Sequence, residues 1–173
     1  MSEKMPKEGI FSKIKNKTLK TSIEVLASSL VGAIILCVFL LLIGVLNITF
    51  NLSGANDLFA LLYIPVVCIL PLIIGVLSPL VLEKIRGDEN IEKKLGLISA
   101  FLAGLIGSTA ASIILMMIGF AFSDQFHPFG SLISSLPFGS GLVAASFVII
   151  LSSSILALIG AGLFIVIISK LEK

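Results

Sequence analysis

The chain has no tryptophan, a single tyrosine, a single histidine and two cysteines in 173 residues. Cys37 and Cys68 both lie inside apolar runs, so neither a disulfide framework nor a cysteine-based metal knuckle is available to this sequence. No glycine-rich phosphate loop, Gly-x-Ser-x-Gly elbow, His-Glu-x-x-His or Cys-x-x-Cys pattern occurs. Charge is the scarcest property of all: 13% of residues are charged against 57% hydrophobic, and the mean hydropathy is +1.18. A soluble domain of this size could not cover its surface with so few charges. The net charge of +2 is too small to imply a nucleic-acid partner. With so few groups able to move protons or hold ions, no catalytic residue, cofactor or metal is expected, and the protein is not expected to be an enzyme.

The charges that exist are segregated. All but Glu24, Asp57 and Asp124 fall within residues 1–20, 83–94 and 170–173. Between these clusters run four apolar stretches, about 24–46, 58–82, 97–121 and 142–168, each reaching the roughly 20 residues that a helix needs to cross a bilayer core. Lipid offers no partner to an unpaired amide, so each stretch is expected to be a helix. The fold expected is all-α: an integral membrane protein built as a bundle of four transmembrane helices over residues 23–170. A basic tail, 1–22, precedes them. The first apolar run is longer than the core of a signal peptide and lacks a small-residue cleavage site after it, so it is read as a retained span.

Orientation follows from the lysines and the one arginine. The first tail holds Lys4, Lys7, Lys13, Lys15, Lys17 and Lys20, the central loop 83–96 holds Lys84, Arg86, Lys93 and Lys94, and the last residues hold Lys170 and Lys173. The loops 47–57 and 122–141 carry no basic residue. The positive side is the cytoplasmic one, which places both termini and the central loop there and predicts a multi-pass protein of the cell membrane. Ile10, Phe11 and Ile14 in the tail share a helical side opposite Lys13, Lys17 and Lys20, the pattern of a short surface helix drawn to anionic lipid. The central loop, with Asp88, Glu89 and Glu92, is read as a solvated turn in which Glu89 pairs with Lys93. Glu24 sits at the edge of its span, within reach of Lys20 one turn earlier.

Helices in lipid gain nothing from hydrophobic attraction to one another and instead pack where small residues let backbones approach. The third span carries two such stripes, Ala100/Gly104/Ser108/Ser112 and Ala103/Gly107/Ala111, which make it the candidate central helix. The first span contributes Ser28 with Gly32, and Ser29 with Ala33 and Cys37; the fourth contributes Ser153, Ala157 and Ala161. Candidate packing residues are therefore Gly32, Ala100, Gly104, Gly107, Ser108 and Ser112. Pro65, Pro71 and Pro79 are expected to kink the second span. Cys37 and Cys68, each near mid-membrane, are expected to be neighbours serving as small packing residues. An offset of 75 residues superposes Gly32 and Gly44 on Gly107 and Gly119, a weak mark of a duplicated two-helix unit.

Polar candidates outside the spans are few. The loop 47–57 holds two glycosylation patterns, at Asn47 and Asn51. The loop 122–141 holds Pro-Phe-Gly twice, five phenylalanines in or beside it, and His127 three residues after Asp124; it is expected to lie on the outer membrane face as an interfacial lid, with Asp124 and His127 as its polar site. The function expected is that of a small interaction or accessory subunit whose partners are the lipid bilayer and, through helix packing, a homo-oligomer or larger membrane complex. The alternative is a small, oligomeric transporter or channel component with a path lined by Ser108, Thr109, Ser112, Ser153 and backbone carbonyls.

Overall fold

A computed structural model describes residues 11, 14–52, 56–87, 92–121 and 140–171. Four helices account for nearly all of them: α1 (Lys17–Leu52), α2 (Asn56–Arg86), α3 (Lys93–Ala121) and α4 (Ser140–Leu171). Each is long and apolar enough to span a membrane. The apolar stretches read from the sequence lie within them, but the helices overrun those limits. At about 1.5 Å per residue the 36 residues of α1 are far longer than a hydrocarbon core of about 30 Å needs. Hydropathy marks where a helix leaves lipid; the backbone ladder continues until a capping signal ends it.

Those signals are legible at the ends. Asn16 caps α1, its Oδ1 accepting from the backbone N–H groups of Thr18 at 3.1 Å and Leu19 at 3.3 Å. Ile10 and Lys13 of the amphipathic tail pattern lie outside the described residues, and Lys17 and Lys20 belong to α1 itself. The expected loop 47–57 is mostly helix, since α1 runs through Asn47 and Asn51 to Leu52 and α2 begins at Asn56. At the other end of α2, Gly87 adopts a φ of 82° and its N–H reaches the Glu83 carbonyl at 3.1 Å, the left-handed closure that glycine makes without strain. The solvated turn expected over 83–96 is correspondingly shorter: Glu83–Arg86 complete α2, Lys93–Gly96 open α3, and Ile85 and Arg86 are buried. Glu89, expected to pair with Lys93, lies outside the described residues.

Contacts fix the directions. Glu24 meets Arg86 and Ser28 meets Ser78, so α1 and α2 are antiparallel. Ser28 meets Ser99, and the backbone at Gly107 rests on Ala33, so α1 and α3 are parallel. Gly96 lies near Ile165 and Gly104 against Ser153 and Ser154, so α3 and α4 are antiparallel. The two hairpins therefore lie side by side in the same sense. Among the described residues α2 and α3 each touch all three other helices, whereas α1 and α4 do not touch one another. The central position expected of the third span is shared with the proline-bearing second one. Leu36, Leu40, Ile74, Ala103 and Ala111 form the apolar core.

The parallel pair α2 and α4 meets backbone to backbone. A methyl group on Gly75 would strike the Ala157 carbonyl oxygen, and one on Gly160 would strike the Leu72 carbonyl oxygen. Each glycine thus sits three residues beyond the carbonyl its partner touches, a reciprocal contact in which Cα–H groups face carbonyls. Pro79 removes the amide that the Gly75 carbonyl would otherwise bond, yet α2 runs unbroken through Pro65, Pro71 and Pro79, with Pro71 and Pro79 fully buried. Gly75→Ala and Gly160→Ala are each expected to lower the midpoint of SDS-induced unfolding in mixed micelles by about 1–3 kcal/mol equivalent, the usual cost of overpacking. Gly162→Ala, where nothing lies within 4 Å, is expected to be neutral or stabilising by up to about 1 kcal/mol. Equal effects at all three positions would contradict the reciprocal contact.

Candidate functional site

The most concentrated polar chemistry in the described bundle lies at the end where α1 and α3 begin and α2 finishes. Glu24, in the second turn of α1, is wholly buried, and Arg86, the last residue of α2, is 8% exposed. Arg86 Nε donates to Glu24 Oε2 at 2.9 Å. Lys20 Nζ stands 3.8 Å from the other carboxylate oxygen, Oε1, which accepts no hydrogen bond. The expected Lys20–Glu24 pair is present, but it is the looser of the two. The charge that neutralises Glu24 at hydrogen-bonding distance comes from 62 residues further along the chain. Gly87 makes this pairing local to a helix end: by closing α2 immediately after Arg86, it holds the guanidinium level with the second turn of α1.

One turn deeper, three helices share a serine junction. Ser28 Oγ donates to the Ser78 carbonyl at 2.6 Å. Its single proton is thereby committed, so the 2.8 Å contact with Ser99 Oγ has Ser99 as donor. Ser28 of α1 thus ties α2 to α3, and all three serines are fully buried. Ser78 Oγ itself has no partner and abuts Gly32, where a methyl group would approach it to 2.6 Å. Ser28 and Gly32 are expected from the sequence as packing residues, whereas Ser78 and Ser99 are not. Spacing alone does not reveal them: the Glu24–Arg86 register carried one turn inward sets Ser28 opposite Leu82, whereas Ser78 lies two turns from Arg86.

The two small-residue stripes of α3, Ala100/Gly104/Ser108/Ser112 and Ala103/Gly107/Ala111, are buried. Ala100 and Ala103 are fully enclosed, Gly104 faces the α4 backbone at Ser153 and Ser154, and Gly107 faces the α1 backbone at Ala33, with Gly32 packed on Ala103. Two of the four hydroxyls expected to line a path, Ser108 and Thr109, bond to their own helix, as does the neighbouring Ser154. Ser108 donates to the Gly104 carbonyl, Thr109 to Leu105 at 2.6 Å and Ser154 to Ile150 at 2.7 Å. This is the local bonding that keeps a hydroxyl satisfied in lipid. Ser153 Oγ is the exception, buried without a partner, and Ser112 is 6% exposed.

Cys37 packs half-buried against the core cluster, whereas Cys68 is exposed, and both are free thiols. Among the described residues no group of three or more His, Cys, Asp or Glu side chains is placed to hold a metal ion. Asp124 and His127, with the whole of the expected lid, lie outside the described residues. The chain matches no protein-family model, no curated protein and no solved structure.

The energetics of the charged junction give a sharp test. Arg86→Ala strands a buried carboxylate and is expected to cost about 3–5 kcal/mol, whereas a buried pair replaced on both sides by apolar groups of similar size costs far less. The double variant Glu24→Met/Arg86→Met is therefore expected to unfold in SDS at nearly the parental midpoint, above either single Met variant. Additive losses in that double-mutant cycle would show that the pair is not coupled.

Proposed function

We propose that the protein is a small polytopic membrane subunit that acts by packing with other membrane helices, with its basic end in the cytoplasm. The observation that carries this reading is the disposition of its interior: the Gly, Ala and Ser stripes are closed against neighbouring helices of the same chain, and Ser108, Thr109 and Ser154 bond within their own helix. What the bundle presents outward is large and apolar, including Leu30, Ile34, Val38 and Leu42 on α1 and Phe147, Leu151, Ile155 and Leu158 on α4. In a bilayer such surfaces accept lipid tails or the equally apolar flank of another helix. Because α1 and α4 lie on opposite sides of the α2–α3 pair, the bundle offers two separate flanks to a homo-oligomer or a larger complex.

A transport component remains the second reading, favoured by the two buried hydroxyls without partners, Ser78 and Ser153. Four helices enclose little space, so such a path would require assembly of several copies.

Purification in mild detergent is expected to yield either a homo-oligomer or a co-purifying membrane protein at constant stoichiometry, and proteoliposomes are expected to pass no member of a broad panel of ions and small solutes. Flux that is abolished by Ser153→Ala and spared by Ile155→Ala would replace the first reading with the second. For orientation, an impermeant thiol reagent added outside cells is expected to label Asp124→Cys and not Lys94→Cys in a background lacking Cys37 and Cys68; the reverse pattern would invert the topology.

A further inference from the structure

Nε alone ties Arg86 to Glu24. A guanidinium has five N–H donors, so four, on the two Nη groups, have no hydrogen-bond partner among the described residues. The Arg86 side chain is only 9% exposed, and donors so enclosed ordinarily find an acceptor. They are not sealed off either: the closed, partnerless polar atoms among the described residues are Glu24 Oε1, Ser78 Oγ and Ser153 Oγ. Neither Nη nitrogen is among those closed atoms, so each keeps some contact with solvent.

A second set of donors lies at the same level. The parallel register that joins Ser28 to Ser99 places Glu24, one turn before Ser28, level with the first turn of α3. That 29-residue helix begins Lys93-Lys94 with no acidic residue in its first turn. Glu92 supplies its carbonyl to Leu95 and Gly96, and no side-chain oxygen caps the first turn among the described residues. Open N–H groups at a helix start attract oxyanions, and Lys93 and Lys94 are exposed around them. The described side chains at this end include Lys15, Lys17, Lys20, Lys84, Arg86, Lys93 and Lys94 together with Glu24, Glu83 and Glu92, and the sequence between Arg86 and Lys93 adds the acids Asp88 and Glu89. The one carboxylate inside the junction is held by Arg86 Nε and Lys20.

We propose that the Arg86 Nη groups and the start of α3 form a binding site for a phosphate group, with Glu24 as the residue that positions the guanidinium. Bidentate recognition of phosphate is what a planar fork supplies and an ammonium does not. If the four helices span a bilayer, the end of α2 and the start of α3 stand at headgroup level, so the phosphodiester of a membrane lipid is the source in reach; a free phosphate ion offers the same chemistry from the aqueous side. The site rests on the membrane reading but not on any particular partner subunit.

The test uses the full chain, delipidated in mild detergent and titrated by native mass spectrometry with phosphatidylglycerol, and separately with an uncharged glycolipid of the same acyl chains. The parent is expected to retain phosphatidylglycerol and not the glycolipid. Arg86→Lys, which keeps the charge and loses the fork, is expected to bind about tenfold more weakly, the loss of one charge-assisted bond. Glu24→Gln is expected to bind at least as well as the parent, because its amide oxygen can still accept from Nε while a negative charge is removed. The exposed pair Lys93→Gln/Lys94→Gln, free of any folding demand from the junction, is expected to weaken binding by about fivefold per lysine. Displacement of the lipid by millimolar inorganic phosphate would support the same site with a soluble occupant, and resistance to displacement would support the lipid. Equal binding of the glycolipid, or unchanged phosphatidylglycerol binding by Arg86→Lys, would overturn the proposal. Alkaline extraction of the same proteins separates the two readings: a chain released from membranes refutes the transmembrane assignment, whereas a retained chain with unaltered lipid binding refutes only the phosphate site.

Discussion

Gly75 and Gly160 rest on each other's helices so closely that neither position has room for a methyl group, and the arrangement of the other helices depends on this approach. In water two helices could hold together across a gap of large apolar side chains, because excluding solvent from that gap is itself favourable. In lipid that gain vanishes, and what remains is dispersion between closely matched surfaces together with weak Cα–H to carbonyl contacts, all of which fall away within an ångström or so of separation. The bundle meets this constraint with glycine, alanine and serine at its crossings: Gly107 on Ala33, Gly104 on Ser153 and Ser154, Gly32 on Ala103. Its large side chains are left mostly on the outside, the inverse of a soluble core.

Close packing of that kind is indifferent to sign and register, since one small residue resembles another. The polar contacts supply the discrimination. Ser28 can satisfy the Ser78 carbonyl and Ser99 only in one alignment of three helices. Arg86 can neutralise Glu24 only when α2 stops where Gly87 stops it. An unpaired carboxylate or hydroxyl in such surroundings costs several kilocalories per mole, so a slip of one turn between α1 and α2 would be penalised at both junctions at once. The same economy of partners explains why Arg86, bound through one nitrogen, is the group with most capacity left for a ligand.

The sequence made some of this legible and not the rest. The burial of Gly104, Ala100 and Ser108 could be read from spacing of four residues, because one helix presents such positions on a single side whatever it packs against. The role of Glu24 could not. From α1 alone its natural partner is Lys20, one turn away, and that contact forms, but at 3.8 Å it is weaker than the pairing with Arg86. Arg86 likewise read as part of a solvated turn because hydropathy falls before the helix ends. Ser78, hidden between Pro79 and a run of aliphatics, gave no periodic signal of its own.

What the sequence by itself determined is the set of four apolar helices, because length and apolar composition suffice to make a helix the only structure that satisfies its backbone within lipid. Their caps at Asn16 and Gly87 are equally local, written in residues whose side chain, or lack of one, acts on the nearest turn. Which helices touch, and that α2 shares the centre with α3 while α1 and α4 remain apart, only the tertiary structure decided. Small-residue stripes say that a surface can be approached closely without saying by what, and an ion pair across 62 residues exists only once two separate helices have been brought to the same depth.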